Sequence, residues 1–321
     1  MIEVSDKVLD GYSFIDLFAG IGGFRLALES LGAKCVYSNE WDSAAQDVYE
    51  ANFGDRPDGD ITKVNERSIP DHDILCAGFP CQAFSISGKQ KGFFDTRGTL
   101  FFDVARIVNE KKPKVVLMEN VKNLVSHDDG NTFRTIKHTM NKIGYKFYHA
   151  ILSASDYGIP QKRERVYMVG FRKDLGVNEF KFPEPIHLAR HLKDFLVEDE
   201  SVVGDMYVEV PGITDVPEIS NSPIRLGVID GGGQGNRIYS TNGVAVTLSS
   251  NGGGKFSKTG GYLINGNVRK LHPIECMRLM GFPDDFKMSE SKTQAYKQFG
   301  NAVVIDVLQY IGIEIGKALN I

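Results

Sequence analysis

The chain has 321 residues, 42% of them hydrophobic and 24% charged, a balance that excludes a disordered or collagen-like polymer. The length suits roughly two domains, or one large domain carrying an insertion. Formal net charge is −4, from 37 Lys and Arg against 41 Asp and Glu, which taken whole argues against a nucleic-acid partner.

SFIDLF (13–18) reads as a buried strand, followed by a glycine-rich turn and a helix that stops at Gly32. KCVYSN (34–39) predicts a second strand and 43–52 a helix. DILCAGF (73–79) predicts a third strand, with a helix over about 98–110 after a loop. PKVVLME (113–119) is a fourth strand, 131–143 a helix, and KFYHAIL (146–152) and RVYMVGF (165–171) are two more strands. Strand–helix alternation of this kind implies an α/β fold in which a parallel sheet lies under helices on both faces. Ligands of such sheets sit at the carboxyl ends of the strands.

The alternation fails after about residue 185. Residues 196–218 carry seven acids and no Lys or Arg, whereas 225–270 carry six basic residues against Asp230 alone and hold 12 of the 34 glycines. Little helix can form there, so loops and short strands are expected. The expected organisation is a catalytic, cofactor-binding domain over 1–189 and a small, mostly β domain over 190–272, inserted before the C-terminal helix. A hinge over 273–300 and a helix over 301–321 return to the first domain. No apolar run approaches the roughly 18–20 residues of a membrane span. The start, MIEVSDKVLDGYSFI, lacks the basic and apolar segments of a signal peptide. Four cysteines without a CxxC pair fit a reducing, cytoplasmic setting.

Four motifs carry candidate chemistry. In Phe18-Ala19-Gly20-Ile21-Gly22-Gly23, Gly20, Gly22 and Gly23 allow a tight turn and close approach of a ligand. Glu40, 20 residues after Gly20, stands where a carboxylate accepts hydrogen bonds from ribose hydroxyls. Arg25 occupies the place of the third dinucleotide glycine, which disfavours a pyrophosphate and favours an adenosine ligand such as S-adenosylmethionine. Asp60 and Ile61 are candidates to hold an adenine ring. In Gly78-Phe79-Pro80-Cys81-Gln82, Pro80 ends the strand and leaves Cys81 at a loop, where a nucleophile belongs, whereas Cys76 inside the strand reads as a buried small hydrophobe. His72 and Cys76 lack the fourth ligand and spacing of a metal site, so no metal is expected. Met118-Glu119-Asn120-Val121 places a carboxyl at the end of an apolar strand, surroundings that raise a pKa. In Gln161-Lys162-Arg163-Glu164-Arg165 an extended backbone makes Arg163 and Arg165 co-facial. Each motif has a plain structural alternative: an incidental turn, a packed thiol, a solvated acid, a charged strand edge. Their shared position at the ends of consecutive strands points to one site.

In order, DLFAGIGG, GFPCQ, MENV, QKRER, LHPIECMRLMGFP (271–283) and QFGNAVV (298–304) resemble the motifs of the DNA (cytosine-5) methyltransferases, from Phe14 to Val304. SISGKQKGF, GGQG, RIYST and GGGKFSKTGGYL bring the chain nearest to bacterial members that methylate the inner cytosine of GCGC. The resemblance implies a Rossmann-like S-adenosylmethionine-dependent sheet with an inserted target-recognition domain. It implies covalent attack by Cys81 on cytosine carbon 6, protonation of ring nitrogen 3 by Glu119, and stabilisation by Arg165 with Arg163 in support. Phe18, Glu40, Trp41, Asp60, Ile61, Pro80, Leu100 and Asn301 would line the cofactor pocket, with S-adenosylhomocysteine as product. Ser85, Ser87, Lys89, Gln234, Arg237, Tyr239 and Thr247 would contact double-stranded DNA around a flipped base.

Asn251, where such relatives have a tyrosine, and the poorly matched 186–222 leave the target sequence less defined than the chemistry. The implied setting is a bacterial restriction–modification system, with a monomer that shares function but no physical contact with a cognate endonuclease. A tRNA cytosine-5 methyltransferase and a catalytically inactive DNA-binding regulator are the alternatives. The glycine-rich basic segment favours DNA over tRNA, and intact Cys81, Glu119 and Arg165 disfavour the inactive regulator.

Overall fold

A computed structural model describes residues 7–80, 100–231 and 233–319. The chain divides into two compact units. One comprises Ile2–Leu152, Arg165–Pro183 and Leu308–Ile321; the other comprises Ser153–Glu164 and Glu184–Val307. The whole of 190–272 lies in the second, together with 153–164 and 273–307.

The first unit is built on strands β1 (Ser13–Leu17), β2 (Lys34–Asn39), β3 (Ile74–Ala77), β4 (Val115–Val121) and β5 (Tyr145–Ser153). Helices α1 (Gly23–Ser30), α2 (Ser43–Phe53), α3 (Leu100–Lys111) and α4 (Asn131–Lys142) alternate with them. The two-residue strand β6 (Gln161–Lys162) and β7 (Glu164–Arg172) follow. The sheet order is β2-β1-β3-β4-β7-β5. Strands β1, β3 and β4 are buried on both faces, which accounts for their nearly continuous apolar sequences. Leu75, Phe101, Val116, Ile136, Tyr145 and Met168 belong to one buried cluster between sheet and helices.

The expected all-parallel sheet is corrected at one strand. Pairs β1–β2, β1–β3 and β3–β4 are parallel, but β7 runs antiparallel to β4, so the sheet is mixed. The link from β5 to β7, residues 154–163, is too short for the helical crossover that a parallel neighbour needs.

The second unit holds a sheet of order β8-β13-β12-β10-β9. Its strands are β8 (Tyr207–Val208), β9 (Arg225–Val228), β10 (Arg237–Ser240), β12 (Gly261–Ile264) and β13 (Asn267–Lys270). Strand β11 (Ala245–Val246) pairs in parallel with β6 instead. The short helix α5 (Glu200–Val203) precedes β8, and α6 (Pro273–Arg278) and α7 (Lys292–Asn301) follow β13. Helix α8 (Ile305–Leu319) ends the chain. The strands are short and the core small: Ile238, Phe256, Leu263 and Val268. A fully buried ion pair reinforces it. Arg269 donates two hydrogen bonds to Glu275, at 2.8 and 2.7 Å, and Glu275 also accepts from the His272 and Val197 amides. Such a pair persists in the interior because its remaining lone pairs are satisfied, and removing one partner leaves a buried charge.

One polar group in the first unit lies outside this pattern. Asp16, in β1, is fully buried, and neither carboxyl oxygen has a hydrogen bond of ordinary geometry among the described residues. Burial pushes its pKa well up, the Arg25 charge opposing and Glu40 adding. The folded protein therefore keeps this acid neutral at pH values where the unfolded chain ionises it, above about 3.9. Between those two pKa values the unfolded state binds fewer protons, so stability falls as pH rises, by up to about 1.4 kcal/mol per pH unit from this group. Asp16→Asn removes that dependence. Denaturant unfolding at pH 5 and pH 8 is expected to show the variant gaining on wild type at the higher pH; a difference that stays constant with pH contradicts the assignment.

Candidate active site

The glycine turn follows β1 directly. Phe18, Gly20 and Gly22 all adopt positive φ (57°, 56° and 92°), a conformation that costs a phenylalanine on the order of 1 kcal/mol and is kept where surroundings enforce it. A Cβ on Gly22 would lie 2.2 Å from the Phe53 ring, so only glycine fits there. Gly23 opens α1. Glu40, at the end of β2, accepts from the Gly20 amide and from the Asp42 amide, both at 2.8 Å. Burial raises its carboxyl while those two donors hold it down. One carboxylate thus ties the turn after β1 to the turn after β2, and each oxygen keeps a lone pair for a ligand hydroxyl.

Trp41, next in the chain, is 81% exposed, a large aromatic face with no packing role. Asp60 caps the short turn that contains buried Ile61. Hydrogen bonds from the Thr62 hydroxyl and amide hold its carboxyl below the usual range. Leu100 opens α3, and Pro80 is exposed just after β3. Arg25, at the position of the absent third glycine, is pinned by Glu29, Asp55 and the Tyr49 hydroxyl and lies 4.5 Å over the Phe53 ring. It is part of the wall that packs behind the turn.

Glu119 and Arg165 meet across β4 and β7. Glu119 pairs with Tyr167 and Val121 with Arg165, so the two charged residues are diagonal neighbours on one face. Arg165 Nε lies 3.1 Å from Glu119 Oε1, both side chains being largely buried. Beside them is a residue whose part the sequence reading missed. Asn120 donates to the Phe79 carbonyl at 2.7 Å and accepts from the Val121 amide at 2.9 Å. It fixes the backbone two residues before Cys81. The visible signal was an amide residue directly after the strand-end acid in MENV.

Cys81, Ser85, Ser87 and Lys89 lie outside the described residues. The other three cysteines are unsuited to nucleophilic work. Burial pushes Cys35 up to about 12, and the fully buried Cys76 and Cys276 are pushed well up too.

Arg163 departs from the expected strand alternation. Its amide bonds back to the Gln161 carbonyl at 2.8 Å, which breaks the extended run between β6 and β7. The alternation that would make Arg163 and Arg165 co-facial therefore does not run through. The Arg163 side chain, 2% exposed, donates to the carbonyls of Leu248 (2.9 Å), Gly300 (3.1 Å) and Ala302 (2.8 Å). It grips the peptide groups on either side of Asn301, the exposed residue that ends α7. Gly300 is required there, because a Cβ would lie 2.4 Å from the Ser249–Ser250 backbone.

Gln161 holds the same segment, accepting from the Leu248 amide and donating to the Leu279 carbonyl. The Thr247 hydroxyl donates to the Lys162 carbonyl. Gln234 begins a short turn, and Arg237 begins β10 with a half-buried side chain. Tyr239 packs its buried ring 5.9 Å from Tyr262.

The chain is similar to known proteins along nearly its whole length. Residues 12–317 match the family described as C-5 cytosine-specific DNA methylase. The chain is 64% identical over 323 residues to the Type II methyltransferase M.HhaI of Haemophilus parahaemolyticus, covering 100% of this chain and 99% of that one. It is 44% identical over 317 residues to M.HaeII of Haemophilus aegyptius, with 96% and 94% coverage. Among solved structures, the Schizosaccharomyces pombe Dnmt2 methyltransferase superposes with a TM-score of 0.72 at 18% identity, covering 96% of this chain and 98% of that one. A putative DNA modification methyltransferase encoded in an Escherichia coli prophage gives 0.66 at 23% identity, with 97% and 100% coverage. Those two likenesses speak for the fold alone. The family match over nearly the whole chain, with the M.HhaI identity, makes this protein a member of the C-5 cytosine-specific DNA methylases, an S-adenosylmethionine-dependent enzyme class.

Proposed function

We propose that the protein methylates carbon 5 of the inner cytosine of GCGC in duplex DNA, flipping the base out of the helix, as the modification half of a restriction–modification system. The observation that carries the chemistry is the Glu119–Arg165 pair at the strand ends, with Asn120 holding the backbone that leads to Cys81. The 64% identity to M.HhaI carries the setting.

Cytosine carbon 5 is too weakly nucleophilic to take a methyl group unaided. In the proposed reaction the Cys81 thiolate adds to carbon 6 while Glu119 protonates ring nitrogen 3, which makes carbon 5 enamine-like. Arg165 keeps Glu119 oriented and faces the base carbonyl as charge develops. S-adenosylmethionine supplies the methyl group. A water-borne base then takes the carbon 5 proton, the carbon 6–sulfur bond breaks to release Cys81 as thiolate, and the nitrogen 3 proton returns to Glu119, leaving 5-methylcytosine and S-adenosylhomocysteine. The cofactor fits the residues present: Gly20 leaves open space beside the turn, Glu40 offers acceptors to ribose hydroxyls, and exposed Trp41 offers a stacking face. Phe18, Asp60, Ile61, Pro80, Leu100 and Asn301 complete the proposed pocket.

Arg163, with its guanidinium spent on three carbonyls, serves as a positioning residue for Asn301 rather than as a contact to the base. Gln234, Arg237, Tyr239 and Thr247 are the proposed DNA-facing residues of the recognition segment. Ser85, Ser87 and Lys89 are the proposed contacts from the catalytic loop. The enzyme acts as a monomer in the bacterial cytoplasm, with double-stranded DNA as its partner and any cognate endonuclease separate from it.

Glu119→Gln keeps the shape of the pair and removes the proton donor. It is expected to lower the single-turnover methylation rate by about 10²–10⁴-fold while duplex binding persists; a rate near wild type contradicts the acid role. Bisulfite sequencing of DNA treated with the protein and S-adenosylmethionine is expected to show protection at the inner cytosine of GCGC. Protection at another sequence contradicts the target, and methyl transfer to tRNA alone contradicts the DNA reading.

A further inference from the structure

Asp60 and Ile61 are held from two sides. On one side, the 57–59 segment is tied to the end of β2. The Glu40 amide donates to the Asp58 carbonyl at 2.8 Å, and Asn39 Nδ2 donates to the same carbonyl at 3.1 Å. Gln46 Nε2 donates to the Glu40 and Pro57 carbonyls, at 2.6 and 3.0 Å. These bonds set the backbone that leads into Asp60 beside the backbone of Glu40. On the other side the tie comes from α3. Arg106 Nη2 donates to the Ile61 carbonyl at 2.6 Å, Nη1 to Glu66 Oε2 at 2.7 Å and Nε to Asp103 Oδ1 at 3.0 Å.

Each of these three bonds has its own part. Asp103 stands three residues earlier on the same face of α3 and orients the guanidinium. Glu66 opens the next short turn, Glu66–Ser68, so the guanidinium spans the stretch from 61 to 66. The Ile61 carbonyl also accepts from the Val64 amide at 3.1 Å, which closes the turn Ile61–Lys63. Its two lone pairs are thus divided between the turn and α3. The Ile61 side chain is buried in the core cluster, and Asp60 Oδ1 accepts from the Thr62 amide and hydroxyl, at 3.0 and 2.7 Å. A shift of the turn therefore carries the capping carboxylate and the isoleucine with it. A planar fork of donors can meet such acceptors in fixed directions, which an ammonium on a flexible stem cannot. Elsewhere, the pairs Arg67–Glu110 (3.3 Å) and Lys111–Asp71 (3.1 Å) join α3 to the same stretch of chain. Arg106 differs from them in gripping the main chain of the Asp60–Ile61 turn.

We propose that Arg106 is a positioning residue for the adenosine end of the cofactor. It holds the Asp60–Ile61 turn against α3, while the bonds at the end of β2 hold the adjoining backbone beside Glu40. The inference rests on the proposed cofactor pocket, in which Asp60 and Ile61 receive adenine and Glu40 receives ribose. Its effect passes through the turn, so it falls on cofactor affinity.

The test is calorimetric titration of S-adenosylhomocysteine into wild type, Arg106→Gln, Arg106→Lys, Asp60→Ala, the double variant Asp60→Ala/Arg106→Gln, and Arg67→Gln as a control that removes an ion pair between the same two stretches. Thermal unfolding checks that each variant is folded. Arg106→Gln is expected to weaken binding about tenfold, the scale of one hydrogen bond to a charged group. Arg106→Lys is expected to lie between that variant and wild type, and Arg67→Gln to match wild type. The double variant is expected to lose less than the product of the two single effects, because both changes act on one turn. Should Arg106→Gln not fold, Arg106→Lys takes its place in the cycle with Asp60→Ala. Three results overturn the role of Arg106 while leaving the pocket standing: wild-type affinity in the Arg106 variants when Asp60→Ala is weakened, fully multiplicative effects in the double variant, or an equal loss in Arg67→Gln. Wild-type affinity in Asp60→Ala overturns the place of Asp60 in the pocket and the positioning role with it.

Discussion

Glu119 and Arg165 meet because β7 enters the sheet against the direction of its neighbour. In an all-parallel sheet Arg165, at the amino end of β7, would lie at the opposite edge from Glu119, near the carboxyl end of β4. Antiparallel pairing instead sets the start of β7 against the end of β4, so Arg165 reaches Glu119 diagonally at 3.1 Å. The short 154–163 link between β5 and β7 therefore does more than close a hairpin. It places a guanidinium beside the strand-end acid and, two residues earlier, ends β6 at the backbone kink where Arg163 turns to other partners.

The two arginines show how one short motif divides its work. Arg165 is spent on a carboxylate that the proposed chemistry uses. Arg163 is spent on three main-chain carbonyls, two of them flanking Asn301. A buried guanidinium must find acceptors for its rigid fork of donors, and carbonyls at a helix end and a strand end provide them. The glycine turn shows the same economy. Glu40, the proposed acceptor for ribose hydroxyls, is held by the same two amide bonds that join the β1 and β2 turns.

Much of this was legible from the amino-acid sequence. The strands over 34–39 and 146–152, the helices beginning at 43 and 131, and the glycine turn all follow from apolar runs bounded by glycine, which are local signals. The direction of β7 was not legible from its apolar pattern, since a buried strand reads alike in either orientation. Neither was the fate of Arg163. Its partners lie 85 to 139 residues away, and alternation along an extended chain describes it only while the chain stays extended. Asn120 was hidden for a similar reason, its value lying in a carbonyl 41 residues earlier. The whole-chain charge of −4 misled as an average, because the basic glycine-rich 225–270 and the acidic 196–218 cancel in the sum. Charge read by segment instead pointed to DNA.

Covalent attack by Cys81 is the central claim, and trapping tests it most directly. A duplex with 5-fluorocytosine at the inner cytosine of GCGC, incubated with the protein and S-adenosylmethionine, cannot release the enzyme by loss of a carbon 5 proton. A complex that survives denaturation, with the adduct mapped by mass spectrometry to the Cys81 peptide, is the predicted result. Methyl transfer to the matched cytosine duplex without any trapped complex, or an adduct at Cys35, Cys76 or Cys276, would contradict the account.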